Sequence, residues 1–225
     1  MKKIAFVGAF DKTDLIIYTA KMLTEIGKRV LVIDTTVLQK ARYIVPAIAP
    51  TKYYVTDYEN IDISVGFNSF EMLENYIGDV QADYDIILID IDTYEMFDSF
   101  EAHNADKIYF VTAFDTFSLK RGMEIIGTMR NQVSMKKILF QREIIAENDE
   151  YLNQLSIDYP IHWENEKIHF PYDQGDLTAI IENQLISKIK FKNLSPEYKE
   201  GLMILVQEII PEVNFSEIRK ILKNL

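Results

Sequence analysis

Three short segments carry side chains that could bind a phosphate group or a divalent cation. Lys12 and Thr13 stand at the start of a helical pattern, Asp34 follows the apolar run 30–33, and Asp90 follows the apolar run 86–89. A lysine in this position can bind phosphate oxygens, while a threonine hydroxyl and strand-end carboxylates can hold Mg²⁺. The three segments together indicate a site for a phosphorylated ligand with its metal ion.

Alternating strand and helix patterns must bring these segments together. Because strand-like runs are separated by helical stretches, we expect βαβ units and a mostly parallel sheet with helices on both faces. Ligands bind such sheets beyond the carboxyl ends of the strands, where all three segments would lie. The expected strands cover residues 4–7, 30–33, 53–55, 61–65, 86–89, 108–112 and 138–140.

Helical spacing and capping residues place helices between these strands. Apolar residues recur every three or four positions in residues 15–26 and 117–133, and Ser69 is the expected N-cap of another helix. Ser195 and Pro196 look like another helix start. We therefore expect an α/β domain over residues 1–192 and a helical appendage over residues 195–225. The expected helices cover residues 15–26, 69–77, 98–105, 117–133, 196–210 and 216–225.

In its motifs the chain resembles the MinD/ParA group of deviant Walker-A P-loop ATPases. Lys12-Thr13 with Asp34 reproduces the spacing from the P-loop lysine to the second-strand aspartate, and residues 84–90 resemble the Walker B strand. Residues 105–112, followed by Ser118-Leu119, resemble the next strand and helix start. Residues 170–173 are similar to a late I-P-Y-D turn that lies near the adenine in that group. The resemblance spans residues 3–185 and implies a P-loop fold, with ATP and Mg²⁺ as ligands if the site is retained.

The phosphate-binding loop departs from the group's K-G-G-x-G-K-[ST] pattern. Gly8 is kept, but Val7 replaces the signature lysine, Ala9 replaces a glycine, and Asp11 is an anion where a glycine should approach phosphate. Backbone cradles for phosphate need small residues, and a carboxylate repels the ligand. The sequence predicts a degenerate site and a pseudo-ATPase without a cofactor. Its vestigial nucleotide-binding residues would be Gly8, Asp11, Lys12, Thr13, Arg142 and Pro171, with Asp34 and Asp90 as vestigial catalytic residues.

Alternatives remain open at this site. Thr13 could simply be a helix N-cap, and Asp34 and Asp90 could cap loops. The enzyme alternative is an active ATPase with a non-standard loop that uses Lys12, Thr13, Asp34 and Asp90, with Thr13 and the two aspartates holding Mg²⁺. His103, His162 and His169 are scattered and have no metal-ligand spacing.

Composition excludes several function classes. The 225 residues include 24 Lys and Arg against 35 Asp and Glu, so the formal net charge is 24 − 35 = −11, which argues against non-specific nucleic-acid binding. Without cysteine the chain has no disulfides, thiolate metal sites or thiol nucleophiles. No signal peptide or spanning segment is evident, so we expect a cytoplasmic protein.

The last helical stretch has an apolar stripe with cations beside it. A short amphipathic helix of this kind either docks on protein or anchors peripherally to the inner face of a membrane through residues 215–225. The resemblance implies a homodimer with protein partners, acting as a localising or scaffolding protein for a cell-envelope, pilus or secretion, conjugation or division machine. Within the group the altered loop most resembles the TadZ/CpaE pilus-assembly branch.

Overall fold

The structure is a computed structural model and describes residues 1–46, 51–143 and 146–225. Within these ranges, eight strands form one sheet in the order β3-β4-β2-β5-β1-β6-β7-β8. Neighbouring strands are parallel except for the antiparallel pair β3–β4. The expected α/β class with a mostly parallel sheet is confirmed. The strands are β1 (Lys2–Val7), β2 (Val30–Asp34), β3 (Tyr54–Tyr58), β4 (Ile61–Val65), β5 (Ile86–Ile91), β6 (Lys107–Ala113), β7 (Val133–Gln141) and β8 (Ile161–Pro171).

Helices cover both faces of this sheet. Side chains alternate across the strands, so Ile4 and Phe6 pack into one core layer while Ala5 and Val7 pack into the other. Both layers are apolar, which explains the unbroken apolar runs of the central strands. The helices are α1 (Thr13–Glu25), α2 (Ala41–Ile44), α3 (Phe70–Ile77), α4 (Val80–Asp83), α5 (Tyr94–Ser99), α6 (Thr116–Gly127), α7 (Ala146–Leu155), α8 (Gln174–Leu185), α9 (Pro196–Ile209) and α10 (Phe215–Asn224), with a 3₁₀ turn at Ala102–Asn104.

Two expected helices have different bounds in the structure. The helix expected over 98–105 is two elements, because Glu101 adopts a left-handed conformation with φ of 51° between α5 and the 3₁₀ turn. The helix expected over 117–133 ends at Gly127. Met129 and Val133 continue the helical apolar spacing, but they reach the same core from a loop and from the start of β7. The apolar periodicity alone therefore predicts an end for this helix that lies too late in the sequence.

The sequence prediction missed β8. The centre of this strand reads Glu164, Asn165 and Glu166, all exposed, so it lacks the apolar run that marked the inner strands. It lies at the end of the sheet, where polar side chains protect an edge strand from pairing with other chains.

The two C-terminal helices pack on the same face of the sheet as α1. Helix α9 lies against β8 and α1, and α10 lies against α9 and α1. Ile218 and Leu222 of α10 are buried in this layer. The apolar stripe of α10 thus docks on its own chain, while the division into residues 1–192 and 195–225 stays a prediction. In the ranges that the structure describes, no helix has the length and apolar character to cross a bilayer.

Candidate functional site

The loop between β1 and α1 begins at a glycine that no other residue can replace without strain. Gly8 has φ of 142°, and a Cβ atom there would collide with the carbonyl oxygen of Val111 on β6. Its own N–H donates to the carbonyl of Ile91 at 3.0 Å, which ties the loop to β5. The loop therefore leaves the sheet in a fixed direction, toward the end of β5.

Lys12 ends this loop, and its ammonium group lies inside the protein. Lys12 Nζ is 2.7 Å from Asp90 Oδ1, and both side chains are only 2% exposed. The same ammonium donates to the carbonyl oxygen of Gly8 at 2.8 Å. The cation that would bind phosphate is thus paired with a carboxylate and bonded to its own loop.

Asp90, near the end of β5, is the most perturbed carboxyl group at the site. Complete burial raises its pKa from 3.8 to about 7; Lys12 opposes this shift, and the nearby charge of Asp34 adds to it. The hydroxyl of Thr13 donates to Asp90 Oδ2 at 3.3 Å. Lys12 takes the N-cap position of α1, and its side chain makes no capping bond. Thr13 is therefore the first residue of the helix and not its N-cap, and its hydroxyl turns toward β5.

Asp34 uses both carboxylate oxygens to hold the turn after β2. One oxygen accepts from the N–H and the hydroxyl of Thr36 at 3.0 and 2.6 Å, and the other accepts from the N–H of Ala41 at 2.9 Å. Asp92 holds the same turn by accepting from the N–H of Val37 at 3.1 and 3.2 Å. These bonds are those of loop-capping carboxylates. Among residues 1–46, 51–143 and 146–225, no cluster of three or more His, Cys, Asp or Glu side chains could hold a metal ion.

Asp11 occupies the helix end where a phosphate would bind. Its Oδ1 accepts from the N–H of Thr13 at 3.3 Å, and its Oδ2 accepts from Lys40 Nζ at 2.6 Å. Lys40 also donates to Asp14 at 2.9 Å. Burial lowers the pKa of Lys40, but the carboxylates of Asp14 and Asp11 outweigh it, so the net shift is upward. The positive end of α1 and a nearby lysine thus already hold an anion that belongs to the chain.

Sequence reasoning missed Lys40. It lies 29 and 26 residues from its partners Asp11 and Asp14, so no local spacing points to the contact. Only the turn held by Asp34 brings Lys40 to the start of α1.

Phe10 fills the space between this loop and the ends of β7 and β8. Its ring centroid lies 4.7 Å from that of Phe140 and 5.9 Å from that of Tyr172. Pro171 and Tyr172 line a small cavity of about 170 Å³ together with Phe10. Arg142 is exposed just after β7 and lines neither this cavity nor its larger neighbour. The structure therefore gathers Gly8, Asp11, Lys12, Thr13, Asp34 and Asp90, places Pro171 next to them, and leaves Arg142 outside.

A larger cavity of about 400 Å³ opens over the loop. Its walls carry Lys12, Thr13 and Asp90 on one side and Leu38, Lys40 and Tyr43 on the other. A triphosphate needs a cradle of free N–H groups and an unpaired lysine. Here Asp11 takes the first N–H of the helix and Lys12 is paired, so the residues present fit a triphosphate with Mg²⁺ poorly.

Comparison with known proteins gives a fold but no sequence relative. No protein-family model matches the chain, and no curated protein matches it either. Among solved structures, MinD from Aquifex aeolicus, in its cell-division complex with MinC, matches with a TM-score of 0.61 at 15% identity, over 95% of this chain and 98% of that one.

Two further structures match over most of their length. A putative plasmid partition protein from Borrelia burgdorferi bound to AMPPNP has a TM-score of 0.57 at 11% identity, over 94% of this chain and 99% of that one. A McdA variant from Cyanothece in complex with ATP has a TM-score of 0.58 at 13% identity, over 93% and 96% of the two chains. At these identities the likeness establishes the fold alone. That fold is the one shared by MinD, plasmid partition proteins and McdA.

Proposed function

We propose that this protein is a positioning or scaffolding protein of the MinD/ParA type that has lost ATP hydrolysis. The observation that carries the proposal is the state of the loop. Lys12 is turned inward onto Asp90, and Asp11 occupies the helix end in place of a phosphate. A surface that recruits other proteins depends on the fold but not on ATP hydrolysis. Such a protein can therefore keep the fold and lose the hydrolytic activity.

The proposed assembly is a homodimer formed through the surface at the carboxyl-terminal ends of the strands. Four large apolar side chains stand exposed around the cavity mouth and at the start of α6: Val37, Leu38, Tyr43 and Phe117. Tyr43 is 82% exposed and Leu38 is 80% exposed, which is unusual for side chains of this size on one side of a protein. A second copy that covers this surface would bury all four.

The partner machine belongs to the proposal as well. The solved neighbours include a MinC:MinD cell-division complex and plasmid partition proteins, and these support a protein-recruiting role. A cell-envelope, pilus or secretion, conjugation or division machine in the cytoplasm, or at the inner face of its membrane, is the proposed setting. A place in the TadZ/CpaE branch is proposed from the altered loop. Non-specific nucleic-acid binding is not proposed, because the net charge is −11.

One observation favours the enzyme alternative. The hydroxyl of Thr13 lies 3.3 Å from Asp90, and the cavity opens onto both groups, which is where an active ATPase would hold Mg²⁺. The active form would need Lys12 to leave Asp90 and Asp11 to leave the helix end when ATP binds.

Calorimetric titration with ATP and Mg²⁺, combined with an assay of phosphate release, separates the two functions. The proposal predicts no turnover above the buffer rate. Micromolar ATP binding with turnover that is lost in both Lys12→Ala and Thr13→Ala would establish the active enzyme instead. Circular dichroism of each variant shows that a loss of turnover is not a loss of folding. Asp98→Asn, an exposed change on α5, serves as the control with unchanged turnover.

A further inference from the structure

The surface between α9 and α10 forms a concave groove with cationic walls. Its volume is about 860 Å³. Lys192, Lys199, Arg219 and Lys223 line it. The apolar lining that a partner can reach is the exposed Pro196 and the half-buried Leu225, which lie above the buried Phe191, Met203 and Leu222. We call this surface the basic groove. A smaller cavity of about 280 Å³ on the other side of α10 shares Arg219 and Lys223 and adds Lys220.

The cations of the basic groove have no carboxylate partners in the described part of the chain. None of the four forms an ion pair there, and Lys199 only donates to the carbonyl oxygen of Lys192 at 3.2 Å. Elsewhere the lysines are mostly paired: Lys136, for example, is held between Glu166 and Glu208.

A single acidic side chain, Glu200, lines the groove against the four cations. In a chain of net charge −11, this surface is a local concentration of positive charge. Cations without carboxylate partners, next to the apolar side chains of Pro196 and Leu225, complement an acidic partner that also has an apolar side.

The shape of the groove favours a polypeptide over a membrane. The centre of the apolar stripe of α10 packs on its own chain, since Ile218 is 0% exposed and Leu222 is 9% exposed. The other apolar side chains of α10 are half-buried, so the helix offers little apolar area to insert into a bilayer. A flat bilayer surface cannot enter a concave groove, whereas a helix or an extended segment can lie along it.

We propose that the basic groove docks an acidic, amphipathic segment of a partner protein. Glutamates or aspartates on one side of the segment pair with the four cations, and its apolar side chains contact Pro196 and Leu225. This inference goes beyond the proposed function and does not depend on the state of the nucleotide loop.

The test measures binding of a designed probe to the full chain. The probe is a blocked, fluorescein-labelled peptide of about 14 residues, roughly four helical turns, with glutamates on one face and leucines on the other. Its partner probe has glutamine in place of every glutamate. Fluorescence anisotropy should show the glutamate peptide binding at least about 10-fold more tightly than the glutamine peptide, with a difference that shrinks as salt is added.

Matched charge-reversal variants locate the site. Arg219→Glu/Lys223→Glu should weaken binding of the glutamate peptide by about 10-fold or more, and Lys192→Glu on the other wall should weaken it as well. Lys120→Glu/Arg130→Glu makes the same change in net charge on exposed residues at the opposite face of the sheet. It should leave binding within about twofold.

Three outcomes would overturn the proposal. In the first, the two peptides bind equally. In the second, the control pair weakens binding as much as the groove pair, so that only net charge matters. In the third, phosphatidylglycerol vesicles bind the wild-type chain but not the groove variant, and the glutamate peptide does not bind. The basic groove would then be a membrane contact.

Discussion

The ammonium of Lys12 and the carboxylate of Asp90 lie 2.7 Å apart, and each side chain is 2% exposed. The pair joins the start of α1 to β5 across the point where a phosphate would enter. Since the dielectric inside a protein is low, each charge depends strongly on the other. Lys12, which the sequence predicts to bind a ligand, is therefore part of the protein interior.

Substitution of Lys12 should destabilise the folded protein, because Asp90 would lose the cation it is paired with. We expect Lys12→Met to lower the free energy of unfolding at pH 8 by about 3–5 kcal/mol, because Asp90 is left buried without its cation. The double variant Lys12→Met/Asp90→Asn should regain most of this loss, since it removes both charges. Urea unfolding monitored by circular dichroism measures both values. A double variant no more stable than the single one would show that the two residues do not act as a pair.

Asp90 should also make stability depend on pH. Its folded pKa of about 7 lies above its ordinary value of 3.8, so the folded state binds the proton more tightly than the unfolded state. The resulting stability is fully present below about pH 4 and is lost as the pH rises through about 7.

The measurement is the unfolding free energy of wild type minus that of Asp90→Asn. We expect this difference to fall by a few kcal/mol, at most about 4, between pH 4 and 8. The fall should be larger than the one measured in the same way for Asp98→Asn, a control that removes an exposed carboxylate on α5. A constant difference for Asp90→Asn would mean that burial does not perturb Asp90.

Asp11 should act as an internal competitor of phosphate. Its carboxylate accepts from Thr13 N and from Lys40. Asp11→Gly frees both donors and places a glycine where the MinD/ParA loop pattern has one, so affinity for ATP with Mg²⁺ should rise by about 10-fold or more.

Two variants serve as comparisons for this change. Asp11→Asn keeps the acceptor but loses the charge, and it should give a smaller rise than Asp11→Gly. Asp79→Asn removes a comparable capping carboxylate at the start of α4, at the opposite edge of the sheet, and should leave ATP affinity unchanged. Calorimetric titration compares all three variants with wild type. Equal affinities in Asp11→Gly and wild type would show that Asp11 does not block the site.

The central fold could be predicted from the sequence because its signals are local. Buried strands such as β2 and β5 are short apolar runs, and α3 is marked by Ser69 and Gly78 at its two ends. Such patterns depend only on neighbouring residues. The polar edge strand β8 carries no such signal, because its identity depends on pairing with β7.

Sequence reasoning brought several of the candidate site's residues together, but it missed Lys40, included Arg142, and did not give the geometry. Lys12, Thr13, Asp34 and Asp90 could be placed together because strand ends of a parallel sheet share one edge. The inward turn of Lys12 and the contact from Lys40 to Asp11 depend on side-chain directions in a loop. One sequence contains no spacing that fixes those directions.

The exposed apolar surface at the carboxyl-terminal ends of the strands should hold two copies together. We expect the wild-type chain to be a dimer by light scattering after gel filtration, and Leu38→Glu should raise its dissociation constant by about 10-fold or more, since a charge would enter the interface. Ile157→Glu is the matched control. Ile157 is 79% exposed, against 80% for Leu38, but it lies just before β8, at the amino-terminal ends of the strands. A monomeric wild type, or equal effects of the two variants, would contradict the proposed dimer.

The docked position of α10 should make one of its isoleucines important for stability and leave another almost neutral. Ile218 is fully buried against α9 and α1, whereas Ile221, three residues later on the same helix, is only partly buried. Ile218→Ala should therefore cost about 2–4 kcal/mol of unfolding free energy, from lost burial and the cavity left behind, and Ile221→Ala less than about 1 kcal/mol. Urea unfolding measures both. If α10 were instead a free membrane anchor, both variants would leave stability unchanged and would weaken flotation with anionic liposomes to the same extent, because a bilayer would take up both side chains alike.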